Sequence, residues 1–170
     1  MTLKAGDKFP EGVKFSYIAY RPENADIKSC GIPITLDFDK EFGDKTVVIV
    51  SIPGAFTPTC TANHIPPFVE RFAALKSKGV NAVIVLSAND PFVQSAFGKA
   101  NGVTDESFIF ATDPAAEFSK SVDLSLDLPP VMGTRTARYA IIVSNGVVKY
   151  VEKDAQGVSG SGVDAVLAAL

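Results

Sequence analysis

Cys60 is the residue of this chain whose setting most favours chemistry. It closes the octapeptide Pro53-Gly54-Ala55-Phe56-Thr57-Pro58-Thr59-Cys60, which follows the β-branched run Thr46–Ile52 and precedes a segment with helical spacing. That order predicts a thiol at a strand-to-helix junction. Helix N-termini carry unpaired N–H groups and the positive end of the helix dipole. A thiol placed there ionises more readily than in water, and the thiolate is the nucleophile. Thr57, three residues upstream, puts a hydroxyl within reach of the sulfur across the turn, and Pro53 and Pro58 stiffen the loop by fixing φ. The competing reading is a small, inert core thiol.

His64, the only histidine, stands four residues after Cys60, a spacing that shares one helix face. Three roles compete. A Cys–His pair would make a hydrolase nucleophile, although no third, orienting group is evident. A metal site could begin with these two side chains but lacks further Cys or His to complete it. A packed or hydrogen-bonded histidine at a helix start is the plainer alternative. Cys30, the second cysteine, lies in the polar, turn-rich stretch Arg21–Gly31 and is expected on a loop. There is no Cys-x-x-Cys and no Gly-rich phosphate loop, and no cofactor is expected.

The elements that position these residues follow from periodicity and punctuation. Phe15–Ala19, Val47–Ile52, Val80–Leu86 and Phe108–Ala111 read as strands. Thr59–Lys78 reads as a helix with Phe68, Phe72 and Leu75 on one face, disturbed near its start by Pro66-Pro67 and ended by Gly79. Asn89-Asp90-Pro91 and Asp113-Pro114 are cap-and-proline helix starts. Arg138–Val143 and Val147–Val151 flank Ser144-Asn145-Gly146, a hairpin signal, and Gly162–Leu170 closes as a short helix. Strand and helix alternate first, which implies parallel strands joined by right-handed crossovers. The hairpin then adds antiparallel strands. The expected architecture is α/β: a mixed central sheet covered by helices on both faces, in a single domain over residues 1–170, as in the thioredoxin fold.

Composition narrows the function classes. With 170 residues the chain can bury a core without metals or disulfides. The net charge is −3 and there are four arginines, Arg21, Arg71, Arg135 and Arg138, without a basic run, so no nucleic-acid partner is expected. No apolar run approaches the roughly 18 residues of a membrane span, so no membrane partner is expected. Met1–Glu11 does not read as a secretory signal. Ala168-Ala169-Leu170 ends in Leu like the peroxisomal tripeptide but lacks its basic middle residue, so the expected location is the cytoplasm, with the peroxisome as the alternative.

Pro53-x-x-x-Thr57-x-x-Cys60 resembles the peroxiredoxin signature. The longer octapeptide, with His64-Ile65-Pro66, is similar to the type-5 or alkyl hydroperoxide reductase branch common in fungi. The resemblance extends through Gly6-Asp7-Lys8-Phe9-Pro10, Ser87-Ala88-Asn89-Asp90, Asp113-Pro114 and Arg138-Tyr139-Ala140. It implies a thiol peroxidase in which Cys60 is the peroxidatic cysteine, oxidised by hydrogen peroxide or an alkyl hydroperoxide to a sulfenic acid. Ionisation alone cannot supply the rate. A thiol of pKa about 8.5 is roughly 3% ionised at pH 7, so full ionisation contributes at most about 30-fold, and nucleophilicity falls with pKa. Fixed donors must stabilise the leaving oxygen. The resemblance assigns that work to Thr57, the Cys60 N–H and Arg138, with Pro53 shielding the sulfur from water. Arg135 reads as a solvated charge on the loop side. Cys30, before Gly31-Ile32-Pro33, matches the resolving cysteine of this branch, which forms a disulfide commonly between subunits of a homodimer and is recycled by thioredoxin. If Cys30 is idle, a one-cysteine cycle with glutathione follows. A non-catalytic thioredoxin-like binding or holdase module is the rival of a different class.

Overall fold

The computed structural model describes all residues, Met1–Leu170. Strands β1 (Lys14–Tyr17), β2 (Ile34–Asp37), β3 (Thr46–Ser51), β4 (Ala82–Ser87), β5 (Phe108–Thr112), β8 (Arg138–Ser144) and β9 (Val147–Asp154) form one sheet in the order β2-β1-β5-β4-β3-β8-β9. Strands β3, β4 and β5 are parallel, whereas β8, β9, β1 and β2 join antiparallel. A separate ribbon pairs β6 (Ser125–Asp127) with β7 (Thr134–Thr136). The helices are α1 (Phe38–Phe42), α2 (Ile65–Glu70), α3 (Phe72–Ser77), α4 (Pro91–Ala100), α5 (Glu117–Ser121) and α6 (Val163–Ala169). This is the expected mixed, helix-covered sheet of the thioredoxin-like fold.

Alternation along the central strands explains why both faces are covered. Val47, Ile49, Ile84, Ile141 and Val143 point into one core with Phe9, Phe15, Phe38 and Phe118. Val48, Val50, Val83, Val85 and Ile142 point into the other with Phe68, Leu75, Phe97 and Leu167. The two clusters hold 22 and 20 buried residues, so neither face of the sheet is left to solvent, and the strands read as continuous apolar runs. Cys60 belongs to the second cluster.

Two local features differ from the sequence expectation, and a third resolves a choice it left open. Ile34–Asp37 forms β2, paired to β1 from Lys14↔Asp37 to Tyr17↔Ile34. Its four residues carry too little periodicity to stand out beside Pro33. The expected helix 59–78 is broken into a π-turn over Cys60–His64, α2 and α3. Pro66 and Pro67 account for the first of these breaks: their rings crowd the carbonyls one α-turn back and remove two donors. The turn widens, and the Ile65 N–H bonds to the Cys60 carbonyl. The α4 cap is Asp90, whose carboxylate accepts from the N–H groups of Phe92 and Val93. Asn89 does other work.

Candidate active site

The loop from Pro53 to Cys60 leaves the C-terminal end of β3 and enters the helix that carries Cys60. Its shape is set by one aromatic contact and two hydrogen bonds. Phe56 takes φ 59, a left-handed conformation that a bulky side chain rarely adopts. Its ring meets Phe97 edge-on at 5.1 Å. The Ala55 N–H donates to Asn89 Oδ1 at 2.9 Å, tying the loop to the β4–α4 connection. The Thr57 hydroxyl donates to the Gly54 carbonyl at 2.7 Å. Its one proton is therefore given to the loop rather than to the sulfur, and its oxygen lone pairs are left to accept. Pro58 occupies the first helical position, where a missing N–H costs nothing. The Cys60 N–H in that first turn has no acceptor in the chain.

The second half of the site arrives through the sheet. Strands β3 and β8 pair antiparallel with Ser51 opposite Tyr139, which brings Arg138 beside the point where the Pro53 loop departs. Two hydroxyls lock this end: Ser51 Oγ donates to the Ala137 carbonyl at 2.9 Å, and Thr136 Oγ1 to the Ile52 carbonyl at 2.8 Å. Arg138 Nη2 lies 3.4 Å from Cys60 Sγ and Nη1 3.0 Å from His64 Nδ1. Cys60 is 1% exposed, so the guanidinium faces a sulfur out of bulk water, where a charge-assisted bond is strongest. Arg138 makes no ion pair with a carboxylate, and its charge is left for the sulfur. Burial pushes the His64 imidazole down to about 4, which keeps it neutral at ordinary pH.

The structure thus brings Arg138 to the Cys60 sulfur, at the end of the loop that carries Pro53 and Thr57. It adds His64, which fits the plainer of the readings above, a buried, hydrogen-bonded histidine near the helix start. Arg135 differs from the expected free charge: it is half-buried, and its Nε donates to the Met132 carbonyl at 2.9 Å. Cys30 is not part of this cluster. Both thiols are free, Cys30 exposed and Cys60 buried. The Cys30 loop is held on α4 by Lys99, whose Nζ donates to the carbonyls of Asp26 and Ser29 at 3.2 and 2.8 Å. A cavity of about 520 Å³ between Tyr17, Lys99 and Phe108 includes none of the residues around Cys60. Ser51, Thr136 and Asn89 had no sequence signal as site residues, because their contacts are made to backbone groups distant in sequence.

A buried cysteine at a helix start, facing an unpaired arginine on a thioredoxin-like sheet, defines a redox-active thiol protein. The redoxin family model matches residues 4–167. A peroxiredoxin of Lipomyces kononenkoae, named provisionally as peroxisomal, is 85% identical over 96% of this chain and 99% of its own. Peroxiredoxin Pen c 3 of Penicillium citrinum is 48% identical over 91% and 90%. The crystal structure of reduced Prx3 from Vibrio vulnificus in complex with hydrogen peroxide superposes with a TM-score of 0.85 at 31% identity, covering 99% of both chains. The chain belongs to the redoxin family as a peroxiredoxin of the AhpC/Prx5 type. It is a thiol peroxidase, an oxidoreductase whose substrates are peroxides. One expectation is overturned: the relative of 85% identity carries a peroxisomal name, against the cytoplasmic location read from the weak C-terminal tripeptide. A missing basic residue in one short address was too little to exclude that compartment.

Proposed function

We propose that Cys60 is the peroxidatic cysteine and that residues 1–170 act as one catalytic domain on hydrogen peroxide and alkyl hydroperoxides. The observation that carries this reading is the Arg138 guanidinium 3.4 Å from the buried Cys60 sulfur. The Cys60 thiolate attacks one peroxide oxygen. An S–O bond forms, the O–O bond breaks, and the leaving oxygen takes a proton to depart as water or alcohol, leaving a sulfenic acid. Arg138 and the unpaired Cys60 N–H stabilise charge on the two oxygens in the transition state. Thr57 Oγ1, its proton committed to Gly54, accepts from the peroxide O–H and fixes its orientation. Pro53 shields the sulfur.

Cys30 then attacks the sulfenic sulfur, a disulfide forms and water leaves. An exposed thiol on a loop docked away from Cys60 suits transfer between the chains of a homodimer, with thioredoxin as reductant, better than a glutathione cycle that leaves Cys30 idle. The peroxisomal name of the 85% identical relative supports action in that organelle. Trapping with a sulfenic-acid reagent tests the reading. Label on Cys60 in Cys30→Ser after one equivalent of peroxide, and none in Cys60→Ser, is the expected result; no label in Cys30→Ser, or label on Cys30 in Cys60→Ser, overturns it.

A further inference from the structure

Arg138 can only donate hydrogen bonds, so His64 Nδ1, 3.0 Å from Nη1, must accept. The imidazole proton is then on Nε2, which donates to the Ser161 carbonyl at 2.9 Å. Each end of the ring meets a group with one possible role, and the tautomer is fixed. Ser161 Oγ lies 3.1 Å from the same nitrogen. It donates its own proton to Asp154 Oδ2 at 2.6 Å, and so it presents a lone pair to His64.

Asp154, the last residue of β9, draws the following loop around itself. Its carboxylate also accepts from the N–H groups of Gly160 and Ser161 at 2.9 and 2.8 Å and from Ser159 Oγ at 3.2 Å. Tyr150 Oη donates to the Gly160 carbonyl at 2.6 Å. The loop has no slack: a Cβ on Gly162 would lie 2.5 Å from the Val158 carbonyl oxygen. Asp154 pairs with Arg138 across β8 and β9, yet forms no ion pair with it. The carboxylate reaches the guanidinium only through Ser161 and His64. Arg138 and Asp154 are the charged groups acting on His64, and both His64 and Ser161 are buried.

We propose that Asp154 and Ser161 are remote positioning residues for peroxide reduction: they fix the ring of His64, and His64 holds the Arg138 guanidinium against Cys60 without neutralising its charge. This rests on Cys60 being the attacking residue. A carboxylate placed directly on Arg138 would orient it equally well but would cancel part of the field at the sulfur. A neutral imidazole orients it and leaves the charge in place. A misplacement of about 1 Å in such a contact costs up to about 100-fold in rate.

The test is a cycle of single-turnover rates for oxidation of reduced protein by hydrogen peroxide, read by intact mass at Cys60. Asp154→Ala and Ser161→Ala should each slow oxidation by about 10- to 100-fold. In the Arg138→Ala background the same substitutions should have no further effect, because residues acting through one group are not additive. His64→Leu should be slow, and His64→Asn, whose amide oxygen stands where Nδ1 stood, should recover most of that loss. Full rates in Asp154→Ala and Ser161→Ala, or an undiminished effect of Asp154→Ala in the Arg138→Ala background, would overturn the positioning role while leaving Cys60 as the attacker. All variants carry Cys30→Ser so that the sulfenic acid persists; if Cys60 gains no oxygen in Cys30→Ser alone, both readings fall.

Discussion

Replacing Arg138 with alanine separates the two contacts of its guanidinium. The contact to Cys60 Sγ at 3.4 Å is a charge-assisted bond, of a kind that contributes about 1.5–3 kcal/mol. Expressed in the transition state, that is roughly a 10- to 150-fold loss in the second-order rate of Cys60 oxidation. The contact to His64 Nδ1 at 3.0 Å acts on stability. Its loss leaves a buried acceptor unpaired, at a cost of about 1–3 kcal/mol. Arg138→Lys keeps a charge but offers a compact ammonium in place of a planar fork. It cannot hold both contacts and should fall between wild type and Arg138→Ala. The chain has no tryptophan, so rapid quench with a thiol-alkylating reagent, followed by mass measurement, suits the kinetics better than fluorescence. A denaturant midpoint reports stability in parallel. Arg135→Ala, which removes only a bond to the Met132 carbonyl, should leave the rate nearly unchanged. Equal losses in Arg135→Ala and Arg138→Ala, or a full rate in Arg138→Ala, would refute the assignment.

Thr57→Val removes the hydroxyl that bonds Gly54 and, in the proposed reaction, orients the peroxide; it should slow oxidation at least tenfold, whereas Thr57→Ser should retain most of the rate; stopped mixing with excess peroxide checks both. Cys30→Ser should leave the first oxidation of Cys60 intact and abolish thioredoxin-driven turnover, measured as NADPH consumption in a coupled assay; normal cycling would remove the resolving role. Acid should destabilise the fold through His64. Between pH 6.5 and about 4 the unfolded imidazole takes a proton that the buried one refuses. The unfolded state therefore binds more protons, and stability falls with pH by up to about 3 kcal/mol across that window. Urea midpoints over this range should show a shallower decline in His64→Asn than in wild type.

The two halves of the site were legible to different degrees. The Pro53–Cys60 loop and its helix announced themselves because strand run, proline pair and cysteine are contiguous, and local rules govern them. Arg138 was found by resemblance. Its position against Cys60 follows from the Ser51↔Tyr139 register, which no local pattern encodes. His64 was visible by its spacing but not its partners, since Ser161 and Asp154 reach it from a loop almost a hundred residues away in sequence. Asn-Asp-Pro offers two capping side chains, and local rules do not choose between Asn89 and Asp90. The fold gave the cap to Asp90 and turned Asn89 onto Ala55. The helix over 59–78 was right in place and wrong in continuity, since the remedy for Pro66-Pro67 was a widened turn.

Intact mass combined with a non-reducing gel, after one equivalent of hydrogen peroxide, tests the central claim most directly. The account predicts one added oxygen on Cys60 in Cys30→Ser, a Cys30–Cys60 disulfide joining two chains in wild type, and no change in Cys60→Ser. Peroxide consumption and oxidation of the Cys60→Ser protein at the wild-type rate would contradict it.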